Sequence, residues 1–575
     1  TRRVDVHGLS GLPPEVTELA RERIEAALPL EEPFEEEKFQ EAEKQLLRAL
    51  GEHGYARATS KKAADLDLAR NAAAVGFWVE PRKRARFGEV RIVGLGPLPE
   101  EPVRRAVRIR RGDPYSQSEL EEAQRAVLEL GVFSSVDIEP DPNATQDGDE
   151  VPLVVRLEPS RLRSVILGGG VQVDALRSDV HLTAGWEDRN FLGGMRRFQV
   201  QTQPGVVIYP TRLPDFEAPE RLLPMVRVRV DFREPGFIES RTNAIVRTEG
   251  SIYPFIPSTE RDPTAPVLGY RDLRVSVGVE RSYWRFYSAL TQNVQVNSPF
   301  TYVGPLDEAL GTVVVSYPEL FSTLDLRDDP IQPHAGFYAS NDLQVAGLGG
   351  EARDVKLQPE ARGYIPIRRR VTLAARATVG LLFADNYGDT VEVNAREGNA
   401  GGASRADWVR DTQLMFLRGF FSGGPGSNRG YALREIGPHG VVPFYNPGQS
   451  EAELLTTCDP ASEEYSPARC DLPLGGFTLW EASLELRFPL GGPLYGAVFG
   501  DMSDVAPSVM DFRFNYPHLS VGGGFRYATP IGPVRVDIGY RVPGAQTPDD
   551  DPDRYVPDEV FGLPIAISFG IGESF

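Results

Sequence analysis

From about residue 161 onward the chain repeats one pattern, in which every second residue is apolar and the intervening ones are charged or polar. In 225–232, Val226, Val228, Val230 and Phe232 share one face of an extended chain, with Arg227, Arg229 and Asp231 on the other. In 273–280 the apolar face is Leu273, Val275, Val277 and Val279, opposite Arg274, Ser276 and Glu280. In 534–542 it is Val534, Val536, Ile538, Tyr540 and Val542, opposite Arg535, Asp537 and Arg541. A soluble sandwich also alternates, but its strands average about five or six residues. Runs of roughly ten residues cross a bilayer when tilted. Such strands are apolar on one face only, so a mean hydropathy of -0.28 and 25% charged residues are compatible with a membrane protein. No apolar run reaches the ~18 residues a transmembrane helix needs. The expectation is a transmembrane β-barrel with a polar lumen.

Strands are marked near Ser164, Val180, Met195, Met225, Asn243, Tyr270, Arg285, Thr312, Gly336, Arg353, Val371, Phe477, Leu494, Leu519, Val534 and Leu563. That is about sixteen, an even number, as a bacterial single-chain barrel requires. Tight connections at 188–194, 281–284, 367–370, 489–493 and 529–533 follow even-numbered strands. Long ones at 210–224, 254–269, 385–476 and 540–562 follow odd-numbered strands. Short turns face the periplasm and long loops the exterior, so everything before the barrel belongs in the periplasm of a bacterial outer-membrane protein.

Residues 1 to about 160 read as mixed α/β, twice over. The first unit has a strand over 3–9, helices over 14–28 and 35–50, and strands over 56–68 and 72–79. The second has a strand over 88–93, helices over 102–107 and 116–130, and strands over 136–140 and 151–157, with Ser116 and Glu119 spaced as a capping box. The expected organisation is thus two periplasmic α/β units, 1–81 and 82–160, and a barrel of about sixteen antiparallel strands over 161–575 with one long loop, 386–476.

That loop contains Leu417-Arg-Gly-Phe-Phe-Ser-Gly-Gly-Pro-Gly-Ser-Asn-Arg-Gly-Tyr431. It resembles the sixth extracellular loop of the outer-membrane insertase superfamily of BamA, TamA and the two-partner-secretion transporters. Arg429, Gly430 and Tyr431 match its signature, and the preceding Arg-x-Phe-Phe-x-Gly-Gly stretch is most similar to the TamA branch. Leu324-Asp-Leu-Arg-Asp-Asp-Pro330 with Pro333 and Gly336, and Glu187-Asp-Arg-Asn-Phe-Leu-Gly193, match further family segments. The tandem units then look like POTRA domains, and the end, with Phe569, Ile571 and Phe575, resembles a C-terminal β-signal. The resemblance implies that Arg429 reaches into the lumen and pairs with Glu485 and Asp501. Period two puts Glu485 opposite Leu484 and Leu486, hence on the lumen face, independently of any analogy. Asp501 is less clean, because Phe499 shares its face.

The closing strands carry Gly168, Gly169 and Gly170 at one end and Pro564, Gly570 and Gly572 at the other. Glycine lowers strand propensity, and proline cannot donate a ladder bond. The glycines either permit curvature or weaken a lateral seam, which the resemblance implies opens to offer strand edges to a client. The implied partners are outer-membrane lipids, client outer-membrane proteins and a TamB-like periplasm-spanning protein. The alternative is a two-partner-secretion pore exporting an exoprotein through the lumen, which two repeats rather than three would favour. A simple porin fits neither the repeats nor the long loop.

Cys458 and Cys470, close together in a loop-like stretch, suggest a disulfide in an oxidising compartment; two free thiols are the other reading. The start at Thr1 without an apolar leader suits a mature chain. A net charge of -20 argues against nucleic-acid binding. His7, His53, His181, His334, His439 and His518 lack metal-ligand spacing, and no nucleophile or phosphate-loop motif is found, so neither an enzyme nor a cofactor is expected. Asp549, Asp550, Asp551 and Asp553 read as a solvated loop, with a divalent-cation site as the alternative.

Overall fold

The computed structural model describes residues 3–30, 33–67, 72–141, 148–173, 177–212, 217–256, 265–368, 370–459, 461–529, 533–545, 562–573 and 575. The aspartates at 549–553 lie outside them. The chain divides into two compact units. The first comprises Thr1–Ser164 with the short segments Asp188–Arg197 and Glu234–Asn243.

In the first unit, β1 (Arg3–His7), α1 (Pro14–Ala27), α2 (Glu36–Glu52), β2 (Thr59–Asp67) and β3 (Ala72–Glu80) form one repeat. β4 (Arg86–Val93), α3 (Glu100–Val107), α4 (Gln117–Leu128), β5 (Phe133–Pro140) and β6 (Glu150–Pro159) form the next. Both sheets have the same order, β1-β3-β2 and β4-β6-β5, with the first strand parallel to the central one. The helices exist because their apolar residues recur at helical spacing. Phe39, Ala42, Leu46, Ala49 and Leu50 of α2 are buried, as are Leu120, Ala123 and Val127 of α4. Their partners come from the alternating face of the central strand, Val75, Phe77 and Val79 in the first repeat and Leu153, Val155 and Leu157 in the second. Only half of the expected capping box forms: Ser116 accepts from the Glu119 amide at 3.4 Å.

The second unit is a sixteen-stranded sheet. It runs through β7 (Arg163–Val173), β8 (Ser178–Asp188), β9 (Arg197–Tyr209), β10 (Arg221–Glu234), β11 (Thr242–Phe255), β12 (Val267–Tyr283), β13 (Phe286–Val303) and β14 (Val313–Asp325). It continues through β15 (Gly336–Ala346), β16 (Asp354–Arg368) and β17 (Val371–Ala384). After the long loop come β20 (Thr478–Gly491), β21 (Leu494–Ala506), β22 (His518–Tyr527), β23 (Val534–Arg541) and β24 (Ile565–Ile571), and the sheet order follows chain order with β7 and β24 at its two ends. Every expected strand is present, although β12 and β13, at 17 and 18 residues, are longer than a bilayer requires. Alternation separates the faces sharply: Leu484, Val498, Val521 and Ile538 are exposed, while Glu485, Asp501, Ser520 and Asp537 are buried. With lipid outside, that is an apolar exterior around a polar lumen.

The connection from β17 to β20 is a folded element rather than a slack loop. It contains α5 (Val391–Glu397), α6 (Arg405–Arg418), β18 (His439–Gly440), α7 (Glu451–Thr457), α8 (Pro467–Cys470) and β19 (Leu472–Pro473), with β18 paired to β19. Val409, Leu414, Met415, Phe420, Phe444 and Leu472 bury themselves in a common core with Val313, Val315 and Tyr317 of β14. α7 opens with a complete capping box, Ser450 and Glu453. Cys458 and Cys470 are disulfide-bonded, with Cα atoms 5.4 Å apart.

Candidate functional site in the barrel lumen

Leaving α6, the chain runs as an irregular hairpin across the lumen, and Arg429 is at its tip, 1% exposed. Its Nε donates to Asp501 Oδ2 at 2.8 Å and its Nη2 to Asp501 Oδ1 at 2.9 Å, a bidentate fork, while its amide donates to Asp501 Oδ2 at 3.1 Å. The remaining Nη1 donates to Glu485 Oε2. The guanidinium lies 3.5 Å from the centre of the Phe499 ring. Sharing a strand face with Asp501 is therefore an asset: Phe499 supplies a cation–π contact that a dry environment strengthens. Burial by itself would favour loss of the Arg429 proton, but the hydrogen bonds and charge of Asp501, with the charge of Glu485, outweigh it and hold the guanidinium more firmly charged. Gly430 and Tyr431 complete the motif differently. A Cβ on Gly430 would stand 2.3 Å from Ser520 Cβ, and one on Gly539 of β23 would stand 2.4 Å from the Arg429 carbonyl oxygen, so two glycines let the loop backbone lie against the wall. Tyr431 is buried edge-on to His518, at 5.5 Å between rings.

The two carboxylates belong to a larger cluster that sequence reasoning did not assemble. Glu485 also accepts from Arg487 at 2.7 Å and Arg526 at 3.1 Å. Arg526 and Arg535 both donate to Asp537, the latter at 2.9 Å. Arg535 and Asp537 share one polar face of a strand, and Arg487 stands two residues from Glu485, so period two carries that part of the signal.

A second arginine of the same motif was also missed. Arg418, the last residue of α6, forks onto Asp354 at 2.6 and 3.1 Å and donates to Gln344 at 2.6 Å. Its guanidinium lies 4.7 Å from the Tyr317 ring centre, and Tyr387 donates to Asp354 at 2.8 Å. The loop is thus fixed at both ends of its crossing, by Arg418 to β14–β16 and by Arg429 to β20–β21. Breaking a buried pair from one side leaves an uncompensated charge, which costs about 3–5 kcal/mol.

The glycines and proline expected at a seam belong to β7 and to the end of the chain. Gly168, Gly169 and Gly170 lie on β7, and only Gly170 has a tight neighbour, the far end of His181 at 2.6 Å from a built Cβ. Pro564 precedes β24 instead of interrupting it; its carbonyl accepts from the Arg541 amide at 2.8 Å. A proline there forfeits no ladder bond. Gly570, one residue before the end of β24, lies near the Arg535 side chain, and Gly572 has a φ of +95°, a left-handed turn. Phe569 is exposed on β24, Ile571 is its last residue, and Phe575 is off the strand altogether. Phe575 is buried with Tyr364 and Ala374, and its carbonyl accepts from Arg487 at 3.3 Å. Between them, Glu573 lies 3.5 Å from Arg487 and 3.6 Å from Arg526. The chain end therefore turns to the lumen side, into the cluster that holds the loop.

Residues 227–575 match the Omp85 superfamily domain. The chain belongs to the Omp85 superfamily. Residues 85–160 match the POTRA family, described as a surface antigen variable number repeat. As an Omp85 protein it is a β-barrel of the bacterial outer membrane with its POTRA domains in the periplasm. The outer membrane protein assembly factor BamA of Neisseria meningitidis serogroup B is 22% identical over 510 residues, 83% of this chain and 56% of that protein. The chain thus spans little more than half the length of that relative. BamA from Haemophilus ducreyi lacking POTRA domains 1–3 has the same fold, with a TM-score of 0.57, 16% identity, and coverage of 99% of this chain and 98% of that one. CdiB from Acinetobacter baumannii aligns at a TM-score of 0.50 with 10% identity, covering 94% of this chain and 86% of its own.

Proposed function

We propose that this Omp85 protein is a TamA-like assembly factor that helps insert client outer-membrane proteins through a lateral seam between β7 and β24. Residues 1–81 and 82–160 are then its two POTRA modules and 161–575 its barrel. Its partners are outer-membrane lipids, the clients, and a TamB-like periplasm-spanning protein docking on the modules. The carrying observation is that one ion cluster joins the loop clamp to the end of the last strand: Arg429 pairs with Glu485, Glu485 with Arg487, and Arg487 lies 3.5 Å from Glu573. Glu573 Oε2 is buried, with no hydrogen bond among the described residues, so its link to Arg487 is one of charge. Release of the strand end and movement of the loop are thereby tied together. A freed strand edge in lipid leaves backbone groups unsatisfied until a client strand pairs with them, which gives templated insertion its driving force. No covalent chemistry is needed.

The second reading, an export pore of the two-partner-secretion kind, draws support from the two repeats. Against it stands the loop, clamped at both ends of its path across the lumen: a polypeptide passing that way would have to displace both clamps. The deciding experiment joins cysteines on β7 and β24 through a thiol cross-linker and follows insertion of a client barrel into vesicles. Insertion is expected to stop and to recover on reversal of the link. Insertion at the normal rate with the seam locked would exclude lateral gating.

A further inference from the structure

Between α6 and strands β11 and β12 lies a cavity of about 280 Å³ that none of the clamp residues lines. Tyr253, Phe255, Tyr270 and Phe416 supply its aromatic wall. Its described lining includes two arginines and no carboxylate. One of them, Arg177, has its counter-ion in Asp179 at 3.4 Å. The other, Arg434, makes no ion pair among the described residues; its guanidinium lies 4.7 Å from the centre of the Phe421 ring. Arg434 is also held at a φ of +67°, in the left-handed region. For a non-glycine residue that conformation is strained and persists only where the surroundings impose it. A mostly apolar cavity with a few placed polar groups is the usual form of a small-molecule site, and this volume is just below the ~300–1,000 Å³ range, which suits a small occupant.

We propose that this cavity binds a small amphipathic carboxylate, whose phenyl-sized or short acyl body packs on the aromatic wall and whose charge pairs with Arg434. A guanidinium is suited to the task because its planar fork meets both carboxylate oxygens at once. An occupant would touch Phe416 of α6 and Tyr253, Phe255 and Tyr270 of the strand wall together, adding a third attachment between loop and barrel. The site stands apart from the assembly reading and would exist whichever way clients travel.

The probe is para-fluorophenylpropanoate, observed by fluorine NMR against the full chain in detergent micelles, with empty micelles as the blank. Saturable binding is expected, weakened at least tenfold by Arg434→Gln and at least tenfold in the uncharged para-fluorophenylpropanol. Equal affinity for acid and alcohol, unchanged binding by Arg434→Gln, or no saturable binding up to millimolar acid would each overturn the proposal. Should Arg434→Gln fail to give a heat-modifiable barrel, the contrast between acid and alcohol on the unsubstituted chain decides.

Discussion

At the scale of single residues, Arg429 shows why its position accepts little else. Its fork spans Asp501 while a third nitrogen reaches Glu485, and the ring of Phe499 lies beneath. Arg429→Ala should strand Asp501 in particular, since Glu485 keeps Arg487 and Arg526. The expected destabilisation is about 3–5 kcal/mol, read as a lower midpoint for heat-induced loss of the compact gel band and as protease cutting within 422–436. Arg429→Lys restores charge without the fork and should recover less than half of the loss. His439 gives the loop a pH response. Burial lowers its pKa to about 4, against about 6.5 in an unfolded segment. The opened segment therefore takes up the proton first, so this contribution is complete above about pH 6.5 and lost as pH falls toward 4. Amides at 437–442 should exchange faster at pH 5 than at pH 7.5 after correction for intrinsic rates, and His439→Gln should flatten that difference.

At the scale of elements, the loop is a strut. Its core of Val409, Leu414, Met415 and Phe444 gives it internal order, and the two arginine clamps rest on different carboxylates, Asp354 for Arg418 and Asp501 with Glu485 for Arg429. Sites without shared partners add to within about 0.5 kcal/mol. Arg418→Gln and Arg429→Gln should each loosen one end, with hydrogen exchange rising near 418 or near 429 respectively, and the double variant should release the whole crossing. If the double variant exchanges no faster than the worse single one, the two ends act as one unit and the strut description is wrong. The short turns are structured for similar reasons. In the turn after β14, Asp328 accepts from the amides of His334 and Ala335 at 3.0 and 3.1 Å, and a Cβ on Gly336 would stand 2.3 Å from the Leu326 carbonyl oxygen. The family-like segment there is a turn-building device.

At the scale of the whole barrel, the ion cluster links the loop to the end of β24. Glu573→Gln should free the end of β24, raising exchange at 569–573 while 422–436 stays protected. Arg429→Ala should raise exchange at both places, and the two substitutions should be non-additive if Glu485 and Arg487 carry the coupling; strict additivity would mean that loop and seam move independently. Much of this architecture was legible beforehand. Sixteen strands and their faces follow from period two, because successive side chains on a strand must point to opposite sides whatever the rest of the chain does. Glu485 fell on the lumen face by that argument alone. The pairings were not legible in the same way. Arg429 meets Asp501 across 72 residues and Glu485 across 56, and Arg418 meets Asp354 across 64, with no local pattern linking them. Phe575 likewise leaves its strand for a pocket of Tyr364 and Ala374 that no periodicity announces. Strand number and facing are properties of local covalent geometry and were set by the sequence itself. Which charges meet in the lumen depends on the path of a long loop returning among strands laid down in sequence order, and only the tertiary structure decides that.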